Sequence, residues 1–204
     1  TAPNISILFS EMIAIWVISF WEKLGCPKQF NLIELGAGNG EMMKVLINTF
    51  DKFSEFKNSC KISILEKSKL LQQIQRANIK DKKIKWLNDL NDLNDSPCIF
   101  LANEFFDALP IKQFLKKEKK WYERHVKFTN NKKLEYLDVP FDMQKFEREI
   151  KFKISYNQKF IEYSPLASKH LKTIINKIKI NNGGILIIDY AYLERRMKNT
   201  LQAV

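Results

Sequence analysis

Phe30-Asn31-Leu32-Ile33-Glu34-Leu35-Gly36-Ala37-Gly38-Asn39-Gly40-Glu41-Met42-Met43 is the stretch that decides the fold. It runs from a short apolar segment, through three glycines in five residues, into apolar positions at helical spacing. Met42, Met43, Leu46, Ile47 and Phe50 share one helical face. The chain has only 6 glycines, so half of them fall in this turn. A strand–glycine–helix turn lets backbone approach a ligand closely, where a Cβ would intrude. A tight turn without a ligand is the plain alternative, and the density of glycine argues against it.

The same rhythm recurs outward from this point. Ile62–Leu65 ends at Glu66 and is followed by Leu70, Leu71 and Ile74 at helical spacing. Ile84–Leu87 ends near Asp89, Cys98–Ala102 ends at Asn103-Glu104, and Ile185–Ile188 ends at Asp189. Continuous apolar strands alternating with helices predict an α/β fold, a mainly parallel sheet covered on both faces. Upstream, Ile5–Trp21 is broken by Ser6, Ser10, Glu11 and Ser19, too short and interrupted for a membrane span, and is expected to be a buried helix.

Residues 111–164 depart from the rhythm. Trp121–Phe128 and Leu134–Val139, joined by Thr129-Asn130-Asn131-Lys132-Lys133, predict a hairpin. Ser164 and Pro165 predict the N-cap and first residue of a helix that ends at Asn181-Asn182-Gly183-Gly184. The expected organisation is a single domain over 1–204 with a lysine-rich hairpin region inserted at 111–164.

The 204 residues carry a formal charge of +11, from 34 Lys+Arg against 23 Asp+Glu. Residues 111–180 alone hold +10 of it, and 29 of the basic residues are lysine. Nucleic-acid readers lean on the planar arginine fork, so a solvated lysine-rich face is expected and nucleic acid is not. Three scattered cysteines and two histidines argue against a disulfide scaffold, a zinc ribbon or a dedicated metal site.

Glu41 stands where the dinucleotide fingerprint G-x-G-x-x-G needs its third glycine, and its charge would repel a pyrophosphate. No G-x-x-x-x-G-K-[ST] occurs. The spacing G-x-G-x-G behind an acid resembles the loop of class I methyltransferases, which bind S-adenosylmethionine. In open α/β sheets ligands lie at the carboxyl ends of the strands. Those ends carry Glu34, Glu66, Asp89, Glu104 and Asp189, a rim that repels phosphate and suits a sulfonium with an ammonium. Glu66 is placed to accept from two ribose hydroxyls, Asp89 from an adenine amino group, with Leu90 near the ring. Gly36, Ala37, Gly38, Gly40, Glu34 and Asn103 complete the candidate cofactor set.

Ala102-Asn103-Glu104-Phe105-Phe106-Asp107-Ala108-Leu109-Pro110 resembles the A-[NH]-E-F-F-D-A-L-P signature of the MidA-like methyltransferases. Thr1-Ala2-Pro3, Phe9-Ser10-Glu11, Trp121 with Glu123, Glu162-Tyr163-Ser164-Pro165, Ile188-Asp189-Tyr190 and Thr200–Val204 resemble further blocks. Asn4 and Ser10 depart from the family pattern. The resemblance implies a Rossmann-like class I fold and S-adenosyl-L-methionine as cofactor. It also implies a protein arginine substrate on a core subunit of NADH–quinone oxidoreductase (complex I) during assembly. The compartment it implies is the bacterial cytoplasm or the mitochondrial matrix. Family members extend beyond both ends of these residues, so the domain is expected to be incomplete and to lack the last antiparallel strands.

A guanidinium needs carboxylates to orient it and to take the proton lost on methylation. Glu104 and Asp107 are the candidate catalytic pair. Phe105, Phe106, Pro110, Trp121 and Glu123 are the candidate substrate wall, although core packing is an equal expectation for Trp121 and one phenylalanine. An RNA or small-molecule methyltransferase and a non-catalytic assembly module are the rival readings.

Overall fold

The computed structural model describes residues 2–130, 133–190, 197 and 199–201. The chain divides into two compact units, Thr1–Ala108 with Lys169–Tyr190, and Leu109–Ser168 with Ala191–Val204.

The first unit opens with α1 (Ala2–Ile5) and α2 (Ile7–Lys23), followed by β1 (Phe30–Leu35), α3 (Glu41–Phe50) and α4 (Ser54–Ser59). Next come β2 (Cys60–Leu65), α5 (Lys69–Ile79), β3 (Lys85–Leu87), a 3₁₀ turn at Leu90–Asp92, and β4 (Cys98–Asn103). Its strands form one sheet with β9 (Gly183–Ile188) in the order β3-β2-β1-β4-β9, and every pairing is parallel. All six residues of β1 are buried, as a strand covered on both faces must be. The strand order reverses between β1 and β4, which opens a crevice at their carboxyl ends.

Two apolar layers cover the sheet. One gathers α2 and α3 with Phe30, Leu32, Phe56, Ile64 and Ile99. The other holds Ile33, Leu35, Leu65, Leu90 and Phe100 with Ile174 of α7 (Pro165–Asn181). Alternate residues of each strand feed opposite layers, which is the period-two rule of the pleat.

Two helices bury narrower stripes than their apolar content suggests. In α2, Ile13, Ala14, Val17, Ile18 and Trp21 are buried, but Ile7, Leu8, Met12 and Ile15 are exposed, so this helix buries a stripe and not its whole surface. In α5, Leu70 and Ile74 are exposed, while Gln75 and Ile79 are buried. The buried stripe runs through Leu71, Gln75 and Ile79, spaced by four. Two adjacent leucines left the helical phase ambiguous, and packing chose the stripe with a polar residue at its centre.

The second unit contains β5 (Lys112–Lys117), β6 (Lys120–Phe128), β7 (Leu134–Phe141), α6 (Met143–Ile150) and β8 (Phe160–Tyr163). Its sheet has the order β7-β6-β5-β8 and is antiparallel throughout. Its core is Phe114, Met143, Phe146 and Ile161, with Phe141 and Tyr163 ringed around Phe146. The expected hairpin is β6–β7; Asn131 and Lys132 of its turn lie outside the described residues. Asp142 caps α6 through the Lys145 N–H at 3.0 Å. The Ser164 hydroxyl accepts from the Ala167 N–H at 3.1 Å as α7 begins at Pro165, as expected from Ser-Pro.

Phe56 carries much of the first unit's packing. Its ring lies 4.6 Å from Phe50, 5.3 Å from Phe30 and 5.5 Å from Trp21, centroid to centroid. Truncation Phe56→Ala is expected to destabilise the chain by about 3–5 kcal/mol through cavity formation. Urea denaturation of the variant against the parent checks it.

Candidate functional site

The loop between β1 and α3 is built on left-handed backbone. Gly36 has φ +64° and Gly38 has φ +53°, a region costly for any residue with a Cβ. At Gly36 a Cβ would stand 2.8 Å from the Phe105 ring, so the loop after β4 presses directly on the loop after β1. At Gly38 no atom lies within 4 Å of that position, so the turn faces open space. Gly40 caps α3 and the Asn39 side chain accepts from the Glu41 N–H at 3.2 Å. Glu41 is ion-paired to Lys44 at 3.2 Å. Ala37 is buried.

Glu34, one residue before the end of β1, is 3% exposed. Its Oε2 has no hydrogen-bond partner among the described residues, and burial pushes its carboxyl up to about 8. A buried carboxylate without a partner is costly, so the isolated site holds this group neutral. Asn103 at the end of β4 also has a buried Oδ1 with no partner among the described residues.

Glu66, at the end of β2, is held from three sides. Its Oε1 accepts from the Ser68 N–H at 2.8 Å and its Oε2 from Gln75 Nε2 at 3.1 Å. Its carbonyl accepts from Gln72 Nε2 at 2.7 Å. Asp89 is exposed and caps the 3₁₀ turn by accepting from the Asn91 N–H at 2.8 Å. Leu90 is 2% exposed and belongs to the apolar layer under the sheet, so the expected contact with a ligand ring gives way to core packing.

After β4 the backbone turns sharply. Glu104 has φ +49°, a left-handed conformation for a non-glycine residue, and its N–H donates to the Ile188 carbonyl at 2.9 Å. Asp189 Oδ2 then accepts from the N–H groups of Phe106 at 3.0 Å and Asp107 at 3.4 Å. The loop is thus pinned by the end of β9. Partial burial, the neighbouring Asp189 charge and the Glu104 charge raise the Asp107 carboxyl above its ordinary value. Phe105 meets Phe106 and His170 edge to face at 5.2 and 5.5 Å. His170, which had no evident partner in the sequence, is therefore part of this packing.

These residues converge where the strand order reverses: the glycine loop, Glu34, Asn103, and the Glu104–Asp107 loop. A cavity of about 440 Å³ lies at the amino ends of β1–β3, among Phe50, Lys61, Ser63 and Lys85, away from the glycine loop. Among the described residues no group of three His, Cys, Asp or Glu could hold a metal ion, and no helix is long and apolar enough to cross a membrane.

Residues 12–204 match the model of a protein family whose description reads "Putative S-adenosyl-L-methionine-dependent methyltransferase". The chain belongs to that family. Its fold is similar to that of a Burkholderia thailandensis protein crystallised with S-adenosyl-homocysteine (TM-score 0.64, 22% identity, 85% of this chain and 45% of that one). The mitochondrial protein arginine methyltransferase NDUFAF7 of Xenopus tropicalis is 28% identical over 96% of this chain and 51% of its own length. The human NDUFAF7 is 27% identical over 94% and 49%. The chain spans about half the length of these curated relatives. The parallel sheet with helices is the class I methyltransferase fold.

In the second unit, Glu123 is ion-paired to Lys112 at 2.9 Å, with His125 at 4.0 Å. Trp121 packs against the Phe114 core, the alternative expected for it. Pro110 is exposed. Glu162 accepts from Gln113 Nε2 and from the Thr200 N–H and hydroxyl, fastening the expected Glu162 and Thr200 blocks together. Thr1 and Gln202-Ala203-Val204 lie outside the described residues.

Gln75 and Asp189 are the residues that motif reading passed over as site members. Asp189 was visible only as one acid of a rim, and nothing in the sequence tells which N–H groups it will accept from. Gln75 becomes visible only once the phase of α5 is known.

Glu34 gives a pH test. Folded, it keeps its proton to about pH 8, whereas the ordinary value is 4.5. The folded state therefore binds the proton more tightly. The associated stability is full below the ordinary value and is lost as pH rises through the folded one, at up to about 1.4 kcal/mol per pH unit. Glu34→Gln is expected to flatten this slope, measured by urea denaturation of the ligand-free chain from about pH 5 to about pH 8.

Proposed function

We propose that the protein of which these residues are part is an S-adenosylmethionine-dependent protein arginine N-methyltransferase. The acceptor in this reading is a core subunit of NADH–quinone oxidoreductase, methylated during complex I assembly. The observation that carries the reading is the acidic loop Glu104–Asp107, pinned by Asp189 beside the glycine turn at the strand-order reversal. Family membership supports the cofactor, and the arginine methyltransferase relatives support the acceptor class.

The residues present fit the cofactor. Glu34 offers a buried oxygen without a partner to a cationic group, and Gly38 leaves room for close approach. Each Glu66 oxygen takes one protein donor, which leaves acceptor capacity on both for a pair of ribose hydroxyls. Asp89 keeps one carboxylate oxygen beyond its capping bond for an exocyclic amine. Gly36, Ala37, Gly40 and Asn103 shape the backbone around these groups, and Leu90 acts from the layer beneath.

S-adenosylmethionine, when bound, supplies a methyl group already activated on a sulfonium, so the protein's task is orientation and proton removal. Glu104 and Asp107 offer two carboxylates to a guanidinium, the charge pairing that strengthens such hydrogen bonds. Asp107, raised above its ordinary value by burial and by the Asp189 charge, is placed to accept the proton. Phe105 and Phe106 wall the acceptor. The lysine excess of 111–180 remains a solvated face in this reading, and no nucleic acid is assigned to it. An assembly role of this kind places the protein in the bacterial cytoplasm or the mitochondrial matrix.

The test is transfer of labelled methyl from S-adenosylmethionine by the full-length protein, with mass spectrometry for methylarginine on the acceptor subunit. Label in RNA or in a small molecule and none in protein replaces the acceptor class. Partner capture that survives Glu104→Gln, without any transfer, points to the non-catalytic assembly role. Gly38→Val and Glu66→Ala are expected to weaken cofactor binding by at least about a hundredfold. Glu104→Gly is expected to leave stability unchanged or raise it by up to about 1 kcal/mol, because the left-handed backbone costs glycine nothing, while transfer falls by about a hundredfold or more. Thermal denaturation and the labelling assay read the two effects separately.

A further inference from the structure

Gln75 is completely buried on the sheet-facing stripe of α5, and both ends of its amide are used. Nε2 donates to the Gly38 carbonyl at 2.9 Å and to Glu66 Oε2 at 3.1 Å. Oε1 accepts from Trp86 Nε1 at 2.9 Å. Trp86 is held in turn by the Arg76 guanidinium, 3.9 Å from its ring centroid. Two acceptors face one end of the amide and a donor faces the other, so only one orientation satisfies all three bonds. A fully satisfied buried network of this kind fixes its members in place.

We infer that Gln75 is a positioning residue, which aims the Glu66 carboxylate at the sugar hydroxyls of the cofactor and ties it to the glycine turn. This rests on the cofactor reading above. The glycine turn and the β2 end belong to separate stretches of chain, and Gln75 is the side chain that hydrogen-bonds to both. Without it, Glu66 Oε2 loses its protein donor, the Gly38 carbonyl loses its partner, and Trp86 Nε1 is orphaned. Glutamate at this position would set an acceptor against two acceptors, so carboxylate chemistry cannot substitute.

A residue that merely braces α5 against the sheet would act on all ligands alike. A residue that aims Glu66 acts through the sugar hydroxyls. Calorimetric titration of the full-length protein with S-adenosylhomocysteine and with its 2′,3′-dideoxy analogue, which lacks both sugar hydroxyls, separates the two. The unaltered protein is expected to prefer the natural ligand by about tenfold or more. Gln75→Leu is expected to weaken the natural ligand by about tenfold and the dideoxy analogue by less than about threefold, so the preference collapses. Adding Glu66→Ala to Gln75→Leu is expected to weaken binding no further than Glu66→Ala alone, within about threefold, as coupled residues require.

Trp86→Phe removes only the donor to Oε1 and keeps a ring beneath Arg76. It is expected to lower the preference in the same direction, and it serves if Gln75→Leu loses cooperative unfolding. Equal losses for both ligands, or additive effects of the Gln75 and Glu66 substitutions, would overturn the inference and leave the cofactor reading intact. An unaltered full-length protein that binds neither ligand overturns both.

Discussion

Phe105 lies against Gly36 so closely that a Cβ at residue 36 would meet the ring at 2.8 Å. That one contact joins the loop after β1 to the loop after β4, across the point where strand order reverses. It demands glycine on one side and a flat aromatic on the other. The loop after β4 leaves its strand through a left-handed Glu104, and the Asp189 carboxylate holds the N–H groups that follow. The strain at Glu104 is offset by bonds from the end of β9. The acids that could carry chemistry are thus placed by backbone geometry.

The acids of the rim do not form one uniform set. Glu34 is buried and protonated at neutral pH, Glu66 is buried but satisfied by two donors, Asp89 is exposed and spends one oxygen on a turn. Asp107 is exposed, yet partial desolvation and its acidic neighbours raise it. The same side-chain type serves four distinct physical purposes because solvent access and hydrogen-bond donors differ at each strand end. A cationic ligand would interact differently with each of them, most strongly with a buried carboxyl that can give up its proton to neutralise the charge.

The charge of +11 divides along similar lines. The excess belongs to 111–180, and the strand ends of the first unit are acidic. In the second unit several of the basic groups are already engaged: Lys112 with Glu123, Lys117 and Arg124 with Asp138. Net charge is therefore a statement about a solvated face and its own acidic partners, and it carries no information about the ligand of the glycine turn.

The amino-acid sequence by itself determined the strand–turn–helix alternation, the glycine loop, the hairpin and the Ser164-Pro165 helix start. Each of these depends on local rules: period, φ preference, or a cap within four residues. The nine-residue block around Glu104 was equally legible, because its resemblance to a family needs only residue identities. Leu70, Leu71 and Ile74 marked a helix but not its buried face, since neighbouring leucines fit two helical phases and only packing on the sheet selects one. Leu90 read as a ligand contact and proved to be core, because a hydrophobic side chain after a strand end has no local mark of which layer it will join. Gln75, Asp189 and the Glu34 carboxyl took their meaning from partners, or from the lack of one, far away in the chain. Hydrogen bonds and desolvation at such separations are properties of the tertiary structure, which alone brings the groups together and decides how much water is left between them.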